Sequence, residues 1–300
     1  MTQTLAPPSP PRPTVRKVAE PPARRTRTFT RPLQYLALLG YMVFLGFPLL
    51  FLLSTSLKTP RELRSTDSSF LPEKLNWDNF GNAVEKANLA QAAGNSLYVA
   101  ALTTVIVTVI SLPAAYALAR FRTKLRGVAT VWILLSQVFP FILIVIPVFL
   151  VLKQVGLVNN PLGLVLVYTV WCLPFALWML RGYVAAIPVD LEEAGAIDGA
   201  GRLRVLRSIV LPLLAPGLVA TSLFTFISSW NEFFFALVLI QDPGLQTLPL
   251  TLARFFGAEG QVQLGQLAAA SLLATIPSLV FFLIIQRRLT SGLMSGAVKG

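Results

Sequence analysis

The sequence predicts an all-α integral membrane protein with six transmembrane helices and both termini in the cytoplasm. Composition is the first reason: the 300 residues are 55% apolar and 13% charged, about half the charged share of an ordinary soluble domain. Length is the second. Six apolar stretches, residues 33–57, 96–119, 128–152, 163–180, 213–240 and 267–285, match the ~20 residues that cross a ~30 Å hydrocarbon layer at 1.5 Å per residue. The third reason is charge placement. Of 25 cations, 18 fall in the N-terminal tail, the second and fourth connections and the C-terminus, which are the alternate, cytoplasmic side.

Taken in order, residues 1–32 open with prolines at 7, 8, 10, 11, 13, 21 and 22 interleaved with arginines. Such a segment cannot bury enough apolar surface to order itself, and is expected to be a disordered cytoplasmic tail touching anionic lipid. The membrane domain is expected over residues 33–290. Its first span is too long for a signal-peptide core and is read as uncleaved. The following connection carries five acids and five cations. Trp77, Phe80 and Val84 lie there at helical spacing, which fits an interfacial helix and an ordered loop equally. Each span contains proline: Pro48, Pro113, Pro140 with Pro147, Pro174, Pro216 and Pro277. The carbonyl that proline frees must find a partner away from lipid, so these helices are expected to kink and pack as a bundle. The alternation of barrel strands is absent.

Several chemistries are excluded. With no histidine and one cysteine, Cys172, the chain offers no His-ligated or four-cysteine metal site, no Ser-His or Cys-His catalysis and no internal disulfide. No catalytic residue, metal or cofactor is expected, and the absence of a Gly-x-x-x-x-Gly-Lys-Ser/Thr loop means no ATPase site of its own. The basic excess is a topology device; no nucleic-acid partner is expected. Glu232 is the one candidate for a carboxylate within a span, where a charge costs roughly 2.5–3.5 kcal/mol on insertion scales. One acid without an intramembrane cation is a poor basis for proton coupling. Glu232 follows Trp230 and Asn231, and two readings of this patch are open. It is a substrate-path surface, aromatic faces beside hydrogen-bonding groups, or a wet structural part of the external aromatic belt.

The connection over residues 181–212 has the pattern of a helical hairpin. Pro188 and Asp190 mark a start, with Glu193 placed to complete a capping box, Gly199 marks a stop, and a second helix containing Leu203, Leu206 and Ile209 is expected to end before Pro212. Ala194, Gly195, Ile197 and Ala200 form a low face rimmed by Glu192, Glu193, Asp198, Arg202, Arg204 and Arg207. That face suits docking into another protein, and also suits a self-packed connector.

The run Glu193-Ala194-Gly195, three residues, Gly199, nine residues, Ile209, one residue, Leu211-Pro212 resembles the EAA loop of importer permeases in the ATP-binding cassette (ABC) superfamily. Two positions depart from the pattern: Gly195 stands where a second alanine is usual, and Leu206 where an aromatic is frequent. Trp230-Asn231-Glu232-Phe233, Gln246-Thr247-Leu248-Pro249 and the final Gly296-Ala297-Val298-Lys299-Gly300 resemble the carbohydrate, maltose-type branch; the similarity covers residues 33–300. The resemblance implies a type I importer permease fold and a half-channel for a sugar, a di- or oligosaccharide, in the cytoplasmic membrane. Its implied partners are a second permease, as a rule a different chain, two cytoplasmic ATPase subunits and an extracytoplasmic solute-binding protein. It places Glu193, Ala194, Gly195, Asp198, Gly199, Ile209 and Pro212 at the ATPase coupling surface, and Gly296, Val298, Lys299 and Gly300, in a cytoplasmic tail over residues 291–300, at a second ATPase contact. The alternatives are a self-sufficient secondary transporter or channel, and a membrane-embedded enzyme using Asp190, Glu192, Glu193 and Asp198.

Overall fold

The computed structural model describes residues 30–65, 69–121, 124–256 and 263–294. The expected tail over residues 1–32 lies outside the described residues except for its last three, which already belong to a helix. Of the C-terminal tail, residues 295–300 lie outside them, and with them Gly296, Val298, Lys299 and Gly300.

The chain divides into two units, Met1–Pro48 and Leu49–Gly300. The first is described only as helix from Thr30 onward, the larger part of α1 (Thr30–Ser56), which has Pro48 inside it. In the second unit, α2 (Pro60–Arg64) and α3 (Asp78–Lys86) occupy the first connection, so the helical spacing of Trp77, Phe80 and Val84 does reflect a helix. α2 is fixed by a capping box: Glu62 Oε2 accepts from the Thr59 N–H at 2.7 Å, and the Glu62 N–H donates to Thr59 Oγ1 at 3.3 Å. Hydrogen bonds from the Thr59 backbone and hydroxyl and from the Glu73 N–H hold the Glu62 carboxyl down at about 2. Its contribution is therefore full above the ordinary value of 4.5 and is lost progressively as pH falls from there through about 2. Asn79, buried, donates to the carbonyls of Ser56 and Lys58 at 2.9 Å each and anchors α3 under the end of α1.

The body is a bundle of four long helices, α4 (Leu89–Arg120), α7 (Pro161–Ala186), α10 (Leu211–Trp230) and α13 (Leu264–Met294). α4 packs most extensively on α7 and then on α10, and α10 also meets α7 and α13. Between α4 and α7 lie α5 (Lys124–Val138) and α6 (Ile142–Gln154). The connection from α7 to α10 holds α8 (Val189–Ile197) and α9 (Arg202–Val205). Beyond α10 come the short α11 (Phe234–Leu239) and α12 (Leu248–Ala253). Among the described residues five helices are long and apolar enough to cross a membrane, or six when the bent pair α5 and α6 counts as one span.

Two expected spans are corrected. The third, residues 128–152, is not one rod: α5 and α6 meet at 104°. Pro140 removes an N–H at the break, and Phe141 inserts among aromatic rings, 5.5 Å from Trp171, 5.4 Å from Phe234 and 6.3 Å from Phe235 between centroids. The fifth span, residues 213–240, stops at Trp230; Asn231, Glu232 and Phe233 form a break before α11. At the other end of that helix the expected stop before Pro212 does not occur. Arg202–Trp230 is continuous, because a π turn over Leu206–Val210 widens the backbone just before the ring of Pro212, which supplies no N–H.

Tight approaches identify the joints that tolerate no added atom. Asn160 caps α7 by accepting from the Leu162 N–H at 2.9 Å, with Pro161 as first helical residue. A Cβ on Gly163 would lie 2.2 Å from the backbone oxygen of Leu157, whereas one on Gly94, inside α4, meets nothing within 4 Å. Gly163→Ala is expected to destabilise by about 1–3 kcal/mol through overpacking against backbone, and Gly94→Ala to be neutral or slightly stabilising. Thermal unfolding of the two purified variants in detergent checks the contrast; equal midpoints would refute it.

Candidate coupling site

The α7–α10 connection is built as a short hairpin. α8 starts after Pro188 with no side-chain cap, so the expected Asp190–Glu193 capping box is not formed. Asp190 and Glu192 instead occupy the first turn, where carboxylates oppose the positive end of the helix dipole. The expected stop is at Gly199, with φ +81°. The Ala200 N–H donates to the Gly195 carbonyl at 3.0 Å and the Gly199 N–H to that of Ala196 at 3.1 Å, a Schellman closure that needs a residue at ease in the left-handed region.

The two arms meet through Gly195 and Ile209. A Cβ on Gly195 would stand 2.5 Å from Ile209 Cδ1 and 3.5 Å from Val205 Cγ2, which explains physically why a small residue is paired with an aliphatic one fourteen positions later. Gly195 is buried and Ile209 half-buried, while Glu193, Ala194, Asp198, Gly199 and Pro212 are exposed. The low face expected from the sequence is thus split. Gly195 turns inward, and the tip presents Ile197 and Leu203, 86% and 77% exposed, among exposed Glu193, Asp198, Arg202, Arg204 and Arg207.

At its base the hairpin is tied to α4. Arg120 Nε donates to Glu192 Oε1 at 2.6 Å, the Tyr116 hydroxyl donates to Glu192 Oε2 at 2.7 Å, and Arg120 Nη2 donates to the Ile187 carbonyl at 2.8 Å. The two charged side chains are only 12% and 11% exposed. Below them Ala115, Leu180, Val184, Ile187, Val205, Val210 and Leu214 form one apolar cluster joining α4, α7 and α10 to the hairpin. α8 is therefore fastened to the bundle end. In the sequence Arg120 is one of the cations of the second, cytoplasmic connection and Glu192 one of the rim charges, and nothing there gives Tyr116 a role. The available signal was a cation ending one span and an acid opening the loop helix of another.

The second candidate patch sits at the far end of α10. Trp230, 3% exposed, stacks on Phe226 at 5.8 Å, and Phe226 on Phe281 at 4.0 Å, within an apolar core. Asn231 is exposed and donates to the Ile227 carbonyl at 3.0 Å. Glu232 Oε1 accepts from the Phe235 N–H at 2.9 Å, while Oε2 accepts from the Ala236 N–H at 3.2 Å and the Tyr168 hydroxyl at 2.6 Å. The carboxylate caps α11 and fastens it to α7. Glu232→Ala leaves the Tyr168 hydroxyl, 1% exposed, and two backbone donors without that acceptor. We expect a loss of about 1–3 kcal/mol, with Glu232→Gln losing less, read from thermal unfolding; a Glu232→Ala variant as stable as wild type would contradict this account.

Sequence reading also missed a line of hydroxyls inside the bundle. Thr108 on α4 and Ser222 on α10 bring their hydroxyls 3.2 Å apart, and Thr103, Thr104 and Ser111 on α4 and Thr221 and Thr225 on α10 are buried. Small side chains at helical spacing let these helices approach closely.

The description of binding-protein-dependent transport system inner membrane components fits residues 109–294, from the middle of α4 to the end of α13. The chain belongs to that family. This permease is accordingly a multi-pass inner-membrane component. It is 38% identical to the diacetylchitobiose uptake system permease protein DasC of Streptomyces coelicolor, over 86% of this chain and 94% of that one. It is 40% identical to the trehalose/maltose transport system permease protein MalG of Thermococcus litoralis, over 69% and 74% of the two chains. Its fold matches, with TM-score 0.71 at 22% identity over 89% of this permease and 99% of the other chain, a chain from the crystal structure of a bacterial ABC transporter involved in the import of alginate.

Proposed function

We propose that this permease forms half of the membrane pathway of an ABC importer for a di- or oligosaccharide delivered by an extracytoplasmic solute-binding protein. It works with a second permease, as a rule a different chain, and two cytoplasmic ATPase subunits. Relatives named for diacetylchitobiose and for trehalose and maltose support the substrate class. The observation that carries the mechanism is the hairpin of α8 and α9, pinned at Glu192 to α4 and exposing an apolar tip rimmed by charge.

In this reading both termini and the hairpin are cytoplasmic, in accord with the cation distribution. Ile197, Ala194 and Leu203 enter a groove on an ATPase subunit, Glu193 and Asp198 make polar contacts there, and Gly195, Gly199, Ile209 and Pro212 set the hairpin's shape. The C-terminal residues Gly296, Val298, Lys299 and Gly300 form a second ATPase contact. Closure of the ATPases on nucleotide displaces the hairpin, and the displacement passes through Glu192 to α4 and through the continuous Arg202–Trp230 helix to the opposite side of the bundle. The permease hydrolyses no nucleotide; it is the conduit, with exposed Asn231 bordering the path, while Trp230, buried in the core, and Glu232, bonded to Tyr168 and α11, fix the wall behind it instead of lining it. Reconstitution tests the whole reading. Sugar uptake into liposomes should require the permease pair, the ATPases, ATP and the binding protein together. Uptake by this chain alone would replace the importer with a self-sufficient carrier.

A further inference from the structure

On the flank of the bundle, at the same end as the hairpin, α5 and α7 enclose an open groove of about 620 Å³ lined by Arg126, Trp178, Met179, Arg181, Gly182, Tyr183, Ala185 and Ala186. Two arginines border it and no acid does. Arg181 is held in place: its Nη1 donates to Thr130 Oγ1 at 2.9 Å, and that hydroxyl donates to the Arg126 carbonyl at 2.7 Å. One N–H of the guanidinium is thereby used, and the four that remain form the planar fork that suits phosphate oxygens. Neither Arg126 nor Arg181 has a carboxylate partner among the described residues. We propose that this groove binds the phosphate headgroup of an anionic phospholipid, Arg126 and Arg181 gripping the phosphate and Trp178 lying along the upper acyl chain.

Depth along α7 favours a lipid over a protein carboxylate. Arg181 lies five residues before the end of the apolar helix at Ala186, ~7.5 Å inside it at 1.5 Å per residue, the level at which long cations reach back to phosphates. Trp178, 53% exposed, is about one turn deeper, and Tyr183, 38% exposed, is nearer the end, the arrangement of aromatic residues at a headgroup boundary. Tyr183 is positioned from behind by Gly217 of α10: a Cβ there would stand 2.5 Å from the tyrosine ring. The groove is thus apolar at its inner end and cationic toward the surface, as a phospholipid is apolar and then anionic.

The test is native mass spectrometry of the assembled transporter, released from nanodiscs containing equal phosphatidylglycerol and phosphatidylcholine. Wild type should retain phosphatidylglycerol selectively, and Arg126→Gln and Arg181→Gln should each lower its occupancy about fivefold, the loss expected for one basic residue near a membrane surface. Arg181→Lys should lose less than Arg181→Gln. Arg126→Gln breaks no side-chain hydrogen bond found among the described residues, so it serves if Arg181→Gln fails to assemble. Unchanged phosphatidylglycerol in the Arg126→Gln variant overturns the proposal. So does displacement of the lipid by millimolar inorganic phosphate, which would mark a free-anion site. Loss of a partner subunit with lipid occupancy intact would assign the groove to protein carboxylates.

Discussion

Glu192→Ala should uncouple transport and weaken the permease at once. The carboxylate is the common acceptor for Arg120 and Tyr116, and its removal leaves a guanidinium, 12% exposed, with only the Ile187 carbonyl. Breaking a largely buried pair from one side costs about 3–5 kcal/mol, more than the exposed tip of the hairpin could recover. In reconstituted transporter, substrate-stimulated ATPase activity and uptake should fall together, with a lower thermal midpoint. Glu192→Gln, which keeps an oxygen for Tyr116, should fall in between. The combination of Arg120→Glu with Glu192→Arg should recover part of what either single change loses, because the pair is then opposed in sign again. Wild-type uptake by Glu192→Ala would remove the tie to α4 from the mechanism.

The neighbouring position should behave in the opposite way. Glu193 is exposed, and no hydrogen bond or ion pair involving its side chain is present among the described residues. Glu193→Lys is therefore expected to leave stability within about 0.5 kcal/mol of wild type, yet to abolish uptake by placing a cation where the proposed docking puts an acid against the ATPase groove. Assembly measured by co-purification of the ATPase subunits should drop, and the isolated permease should unfold as before. If Glu193→Lys transports normally, the docking surface lies elsewhere. With both outcomes, two adjacent glutamates would separate internal fixation from the proposed contact with a partner, one acting through the bundle and the other outside it.

What could be read from the sequence follows from how local each feature is. Helix existence depends on long apolar runs, and Gly199 depends on a turn that only a few residues tolerate, so both were legible. The 104° break at Phe139–Phe141 was not: Pro140 indicated a kink, but its size is set by Phe141 finding rings from α7 and α11, which are distant in sequence. The run through Pro212 was missed for a related reason. Proline was read as a terminator, whereas the π turn ahead of it re-registers the hydrogen bonds and lets the helix continue. In the EAA-like run, Gly195 and Ile209 were legible as separate motif positions, and that they touch is given only by the fold. Glu192 could not be told from Glu193 by type or position along the chain. Only the place of Arg120 at the end of α4 separates them.

The unbroken Arg202–Trp230 helix has a geometric corollary. Its 29 residues measure about 43 Å at 1.5 Å each, and a rod of that length pivots like a seesaw. Tilting it by 10° about its midpoint carries each tip sideways by about 4 Å, in contrary directions. A push inward beneath Leu203 would then swing Trp230 outward on the opposite face, and the Tyr168–Glu232 clasp would be the first bond to feel the strain.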